Sequence, residues 1–403
     1  MLKKTVKIAT QLFSLALFIF LFIKTSYLDS DILQYPANLF FRFDPLVFLS
    51  ASIAGRRIAE ICLPSLVLVI LALFFGRFYC WWLCPLGTIF EFVSWKKKNI
   101  SKIISPKFRY YFLIFILFSS ILTLQFLWVA DPNALLLRTI SLLPFYGIML
   151  NPWAAGITLG FFVLLLLINL LSKRFWCNHI CPLGALYSLL ARFKIKQKKL
   201  SYEKVSLSRR GLLLGMAGVI AAYPLLRLIK PAHAKYLPPI LRPPGADRKK
   251  FLDTCIHCGE CWKICPNKAL HPAFMETGIE GMFTPVFRMR QAYCEYECNL
   301  CGQVCPTGAI KNLPIEAKRK YRIGTAVIDR KVCYPWATGT TCFVCEEHCP
   351  VSPKAIGLED AGDGVRKPYV NAETCIGCGI CENKCPVPGE SAIVVGNAAR
   401  PNS

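Results

Sequence analysis

Histidine is scarce in this chain: five occur in 403 residues, and only His179 lies among the apolar stretches of the N-terminal half. A membrane haem held between two helical histidines is therefore excluded, and the absence of any C-x-x-C-H stretch excludes covalently attached haem c. Acidic residues are also few at the start. Residues 1–234 carry 7 of them against 27 Lys and Arg, whereas residues 235–403 carry 17 against 21. The net charge of +24 thus arises mainly between apolar stretches, which points to lipid and topology and away from nucleic acid.

Cysteine, by contrast, is abundant. Sixteen of the 21 fall in the last 150 residues, in four runs: Cys255, Cys258, Cys261, Cys265; Cys294, Cys298, Cys301, Cys305; Cys333, Cys342, Cys345, Cys349; and Cys375, Cys378, Cys381, Cys385. Each run ends C-x2-C-x3-C-P, closing at Pro266, Pro306, Pro350 and Pro386. This is the bacterial ferredoxin spacing, in which three thiolates on one tight loop grip a [4Fe-4S] cubane. A disulfide framework does not repeat one short spacing four times with proline after the last cysteine. The fourth cysteine of such a run commonly serves the neighbouring cluster, so sixteen ligands for four [4Fe-4S] clusters follow without their grouping. His257 and His348 lie inside runs and are read as residues bordering a cluster.

With 54% hydrophobic residues and a mean hydropathy of +0.43, the chain is too apolar for an ordinary soluble protein. Four stretches qualify as membrane spans, residues 8–23, 61–75, 110–129 and 154–171, and a shorter fifth covers 212–228. With the N-terminus in the cytoplasm, 20 Lys and Arg lie inside and 7 outside up to residue 234. That asymmetry places the cysteine-rich tail outside, in the periplasm, and the chain in a bacterial inner membrane.

The membrane part contains a repeat. Asp44-Pro45 precedes Cys80-Trp81-Trp82-Leu83-Cys84-Pro85-Leu86-Gly87, and Asp131-Pro132 precedes Cys177-Asn178-His179-Ile180-Cys181-Pro182-Leu183-Gly184. Two spans per copy bring both C-x3-C-P motifs out on the cytoplasmic side. Three readings of Cys80, Cys84, Cys177 and Cys181 stand open: one further cluster, a redox-active pair of dithiols, or buried thiols. Cys62 reads as a small buried hydrophobe. Asp44 and Asp131, expected at the outer ends of spans, are either quinol-site acids or turn-opening helix caps. One difficulty accompanies this layout: inner cysteines and outer clusters would be separated by a hydrocarbon core of about 30 Å.

At the join, Ser208-Arg209-Arg210 followed by an apolar run and Ala232-His233-Ala234 has the form of a Tat signal with an A-x-A site before Lys235. An ordinary fifth span flanked by arginines is the alternative. The Pro-rich stretch 236–245 serves as a linker in either case.

Taken together, the chain resembles a fusion of two ferredoxin-type proteins of periplasmic nitrate reductase systems, a NapH-type membrane protein through the paired C-x3-C-P motifs and a NapG-type exported protein through the twin arginine and the four runs. Residues 324–329 leading to Cys333, the long gap to Cys342, and Cys375-Ile376-Gly377-Cys378-Gly379 carry the second match. The resemblance implies a quinol dehydrogenase that passes electrons from menaquinol through the clusters to a periplasmic c-type cytochrome or terminal reductase. An accessory role in maturing, repairing or sensing a periplasmic metalloenzyme, and a purely structural anchor, are the competing readings.

The expected architecture is an α-helical membrane bundle of four spans plus a Tat-like helix, followed by an α+β ferredoxin-like domain with two double-cluster modules. Its parts are a membrane domain (1–205, repeats 1–105 and 106–205), a signal or anchor helix (206–234) and a four-cluster domain (235–403). Because a small tail draws much of its stability from its metal, Cys378→Ala is expected to unfold its module as well as empty its site. Iron content and circular dichroism measured together check this.

Overall fold

A computed structural model describes residues 2–25, 33, 38–94, 105–142, 151–193, 213, 216–218, 240–360, 362 and 364–396. The twin arginine, the A-x-A site and most of the fifth apolar stretch lie outside the described residues, as does the linker before Ile240.

The N-terminal half is helical: α1 (Leu2–Lys24), α2 (Leu39–Arg42), α3 (Pro45–Gly55), α4 (Ser65–Phe75), α5 (Pro85–Val93), α6 (Phe108–Ile121), α7 (Leu127–Ala130), α8 (Pro132–Leu142), α9 (Pro152–Leu171) and α10 (Pro182–Leu190). Among the described residues two helices are long and apolar enough to cross a membrane, Thr5–Lys24 and Pro152–Leu170. The other two expected spans are shorter helices, Glu60–Phe75 and Phe108–Ile121. The stretch 110–129 breaks at Thr123, which takes a left-handed φ of 62°. Behind it Thr123 N bonds Ser120 O and Leu124 N bonds Ser119 O, closing the end of α6.

Polarity is inverted relative to a water-soluble bundle. Phe13, Ile23, Phe74, Phe75, Trp153 and Leu167 are all exposed, while Gln11, Ser50, Ser120, Gln125 and Asn133 are buried. An apolar exterior around a hydrogen-bonded polar interior is what association with lipid requires.

Each repeat holds a helix absent from the expected layout, α3 in the first and α8 in the second. Asp44 caps α3, its Oδ1 accepting from Leu46 N (2.9 Å) and Val47 N (3.3 Å). Asp131 caps α8, its Oδ2 accepting from Ala134 N (2.7 Å). Proline fits the first helical position because its missing N–H has no intrahelical partner there, and the preceding aspartate satisfies the next donors, a cap of about 1 kcal/mol. Asp44 and Asp131 are thus helix caps fully buried inside the bundle, each 0% exposed.

The tail is built on three two-stranded antiparallel sheets, β1 with β2 (Leu270–Pro272 and Pro285–Phe287), β3 with β6 (Thr325–Ile328 and Ile393–Gly396), and β4 with β5 (Ile356–Asp360 and Arg366–Val370). Four one-turn helices carry the cysteines: α11 (Glu260–Ile264), α12 (Leu300–Val304), α13 (Val344–Glu347) and α14 (Ile380–Lys384). In the first, second and fourth runs the last cysteine ends its helix, since the proline that follows disfavours the α region for the residue before it, and in the third the helix ends one residue earlier, at His348. Cys265, Cys305 and Cys385 accordingly have ψ of 118°, 112° and 124°.

The tail sits on one end of the bundle. Gln125 Nε2 donates to Asp253 O (2.7 Å), Asn38 Nδ2 to Val304 O (3.0 Å), Asn151 Nδ2 to Pro272 O (3.2 Å) and Arg57 Nη2 to Gly308 O (3.2 Å). These bonds run from bundle side chains to tail backbone.

Gly377 fixes the loop of the fourth run. Its φ is +71°, and a Cβ there would lie 2.5 Å from the backbone N and O of Gly324. Gly377→Ala is expected to destabilise the tail by at least ~1–3 kcal/mol, read as a lower midpoint in thermal unfolding of the loaded protein.

Candidate cluster sites

The four runs pair crosswise. One cavity is lined by Cys255, Cys258 and Cys261 together with Cys305 from the second run. Cys265, the fourth member of the first run, lies against Cys294, Cys298 and Cys301. The third and fourth runs repeat the exchange. Cys375, Cys378 and Cys381 share a cavity with Cys349, and Cys333, Cys342 and Cys345 share one with Cys385. The exchange follows from the intervening helix, whose four-residue step advances the last cysteine by about 6 Å, out of its own loop and into the neighbouring one.

The membrane cysteines form a fifth quartet. Residues 79–83 and 176–180 each make a single π-helical turn, closed by Cys84 N to Tyr79 O (2.9 Å) and Cys181 N to Trp176 O (2.8 Å). Both turns direct their cysteines into one cavity, where Cys80, Cys84, Cys177 and Cys181 meet Pro132, Gly87 and Gly184. The glycines are required by close approach: a Cβ at either would lie 3.1 Å from the carbonyl of Cys80 or Cys177. The quartet is buried within the bundle, its members 5–8% exposed.

All 21 cysteines are free thiols. Among the described residues no three of His, Cys, Asp or Glu close around a point as a tetrahedral zinc would require. Four of the quartets each line one cavity. Backbone N–H groups point at sulfur, from Gly87 to Cys84 Sγ (3.3 Å), from Ile310 to Cys305 Sγ (3.4 Å) and from Ala326 to Cys375 Sγ (3.4 Å). Donor type, spacing and these N–H···S contacts fit a polynuclear iron–sulfur group.

Buried cations complete the case at the first tail site. Arg138 is 2% exposed, and its guanidinium lies 4.4 Å from the ring of Phe283 and 5.4 Å from that of Trp128. Its Nε and Nη1 have no hydrogen-bond partner, and Cys258 is within its electrostatic reach. Arg242 faces Cys255 and Cys261 and is pushed down to about 10 by burial. A buried cation without a carboxylate partner is costly, and thiolates around a net-negative cluster offset that cost. Neither arginine was singled out from sequence; the signal for Arg138 is a lone charge in the apolar run Leu135-Leu136-Leu137.

His257 holds the left-handed position (φ 53°) that Gly377 occupies in the other module. Its ring stacks on Trp128 of the bundle, with centroids 6.2 Å apart and planes within 13°. Burial pushes its pKa down to about 3, so the ring is neutral at neutral pH. It borders the cavity of Cys255, Cys258 and Cys261 and packs the first cysteine loop on the bundle. Beside it, burial pushes Glu260 up to about 7 and Lys263 down to about 8. Lys263 Nζ donates to Phe22 O near the end of α1.

The quartets follow one another in a fixed order. Buried packing runs without a break from Cys80, Cys84, Cys177 and Cys181 to Ile256 and Cys258. Cys62, assigned no role from sequence, bridges the two parts, its Sγ donating to Pro306 O (3.3 Å) beside Cys305. Cys261 then faces Cys301, Cys294 N bonds Cys378 O (2.9 Å), and Cys381 faces Cys345. The short helical stretch Glu60–Phe75 joins this tail-contacting end to the first C-x3-C motif.

A string of cysteine quartets built on ferredoxin loops, seated on an apolar helical bundle, defines an iron–sulfur electron-transfer protein. Residues 61–109 and 154–199 match the 4Fe-4S binding domain family, and residues 254–309 and 315–388 match the 4Fe-4S dicluster domain family. The methylamine utilization ferredoxin-type protein MauM of Paracoccus denitrificans is 33% identical over 212 residues, 51% of this chain and 91% of the relative. The ferredoxin-type protein NapG of Escherichia coli is 38% identical over 154 residues (36% and 65%), and NapH of the same organism is 29% identical over 238 residues (55% and 71%). The chain belongs to this ferredoxin-type protein family, and a NapG/NapH-like fusion is consistent with the matches. No solved structure matches it.

The crosswise pairing has a specific consequence. Cys305→Ala is expected to disturb the site of Cys255, Cys258 and Cys261, leaving the site of Cys294, Cys298 and Cys301 loaded. Iron analysis with electron paramagnetic resonance, compared with Cys265→Ala, checks it: the two variants lose different signals.

Proposed function

We propose that this protein is a quinol dehydrogenase of the bacterial cytoplasmic membrane, crossing it several times and holding its tail in the periplasm. [4Fe-4S] clusters held by the four tail quartets, and a fifth held by Cys80, Cys84, Cys177 and Cys181, supply one-electron relay without haem. The observation that carries this reading is the unbroken order of quartets, from the bundle interior through Cys258 and Cys294 to the distal group of Cys333, Cys342, Cys345 and Cys385. A chain of adjacent one-electron sites is of use to a relay and superfluous for an anchor.

The donor is read from position. The first quartet lies inside an apolar bundle with exposed Phe, Leu and Ile on its exterior, where a lipid-soluble menaquinol has access and a soluble donor has none. The acceptor is read from the other end. Next to the distal quartet, residues 337–341 are exposed, and Val332 and Phe343 stand 44% and 50% exposed. An apolar patch beside a partly exposed redox site suits brief docking of a periplasmic c-type cytochrome or terminal reductase.

Anaerobic stopped-flow absorbance of the full-length protein mixed with a reduced menaquinone analogue tests the donor. Bleaching of the cluster band by the quinol is expected; bleaching by dithionite alone overturns the reading in favour of a maturation or sensing role.

A further inference from the structure

The two repeats meet at their aspartates. Asp44 and Asp131 lie within hydrogen-bonding range of each other, both 0% exposed. Asp44 accepts three hydrogen bonds, from Leu46 N (2.9 Å) and Val47 N (3.3 Å) on Oδ1 and from Asn133 Nδ2 (3.0 Å) on Oδ2, which leaves Oδ2 room for one more. Asp131 Oδ2 accepts from Ala134 N (2.7 Å), but Asp131 Oδ1 is buried with no donor facing it. Two carboxylates in contact away from water cannot both be ionised. The N-termini of α3 and α8, each 11 residues long, carry enough partial positive charge to hold one negative charge between them.

The pair adjoins the membrane quartet. Pro132, bonded to Asp131, lines the cavity of Cys80, Cys84, Cys177 and Cys181. Asn133 Nδ2 also contacts Tyr79 Oη (3.2 Å), and Tyr79 directly precedes Cys80. Among the described residues the titratable and charged groups facing the pair are Tyr79, Tyr187, Cys62 and Cys80, with Cys84 behind the tyrosines and Arg42 nearby. The Oη of Tyr187 has no partner and lies beside Tyr79, ring centroids 5.7 Å apart.

We propose that Asp44 and Asp131 form a proton-loading site coupled to the redox state of the membrane quartet. In the oxidised protein Asp131 Oδ1 carries the one proton of the pair and donates it to Asp44. When a cluster on Cys80, Cys84, Cys177 and Cys181 gains one electron, the added negative charge draws a second proton from water on to the pair. When the electron leaves for the tail, that proton is released. Charge balances at each step, with a one-electron reductant and solvent as the co-reactants. The coupling concerns the cysteine site whatever reduces it, so its test uses dithionite and stands apart from the quinol reading.

The test is a reduced-minus-oxidised infrared spectrum of the full chain in detergent, with a pH series of redox titrations followed by electron paramagnetic resonance. The membrane signal is the one missing from Cys181→Ser. A protonated-carboxyl stretching band that changes on reduction and shifts in deuterated water is expected, and it should be lost in Asp131→Asn at unchanged iron content. The wild-type equilibrium for reducing the membrane site should change tenfold per pH unit, and that of Asp131→Asn should be flat. A pH dependence that persists in Asp131→Asn overturns the proposal. If Asp131→Asn does not assemble, the wild-type spectrum decides: no carboxyl band overturns it.

Discussion

Four thiols facing one another in a space closed to water form a poor core. They leave a void that no side chain fills, and as thiolates they bury like charges together. Metal removes both problems, and the local devices of this fold are arranged around that fact. Backbone N–H groups aim at sulfur, Arg138 is buried beside Cys258 and Arg242 faces Cys255 and Cys261, and in three of the four runs the short helix ends at its last ligand, before proline. The strands are too short to hold the tail by themselves. Longest among them are five residues, in three separate pairs.

The bundle solves the same problem with different means. Its quartet sits on two π-helical turns related by the internal repeat, and basic side chains bind the turns together. Arg77 Nη2 reaches Cys177 O (2.8 Å), and Arg174 Nη1 reaches Cys80 O (3.3 Å), so each repeat donates to the other's cysteine turn. Glu91 gathers Lys7 (2.6 Å), Gln11 (2.6 Å) and Arg174 (2.5 Å), fastening α1 and α5 to the second turn. A repeat whose copies exchange hydrogen bonds in this way is one cooperative unit and not two stacked ones.

Much of this was legible in the sequence. The runs, the paired C-x3-C-P motifs and the helical first half are local signals, fixed by spacing and hydropathy. The grouping of ligands was not, because Cys265 and Cys305 leave their own loops through a helix step that only three-dimensional packing reveals. Helices α3 and α8 were missed since their 11 residues are too short to register as spans, although Asp-Pro at each start is a clear cap and first-turn signal. The fifth apolar stretch and the twin arginine belong to residues the structure does not describe. His257 borders the first cysteine cavity as its place in the run suggested, but its stacking on Trp128 was not legible because it depends on how the tail docks on the bundle.

Three of the bonds between bundle and tail end on backbone carbonyls of Val304, Pro306 and Gly308, the segment surrounding Cys305. The same segment carries Cys305 across to the loop of Cys255, Cys258 and Cys261. One short stretch of backbone thus serves both as the seam between bundle and tail and as the clasp between two cysteine runs, so a change in either is transmitted directly to the other.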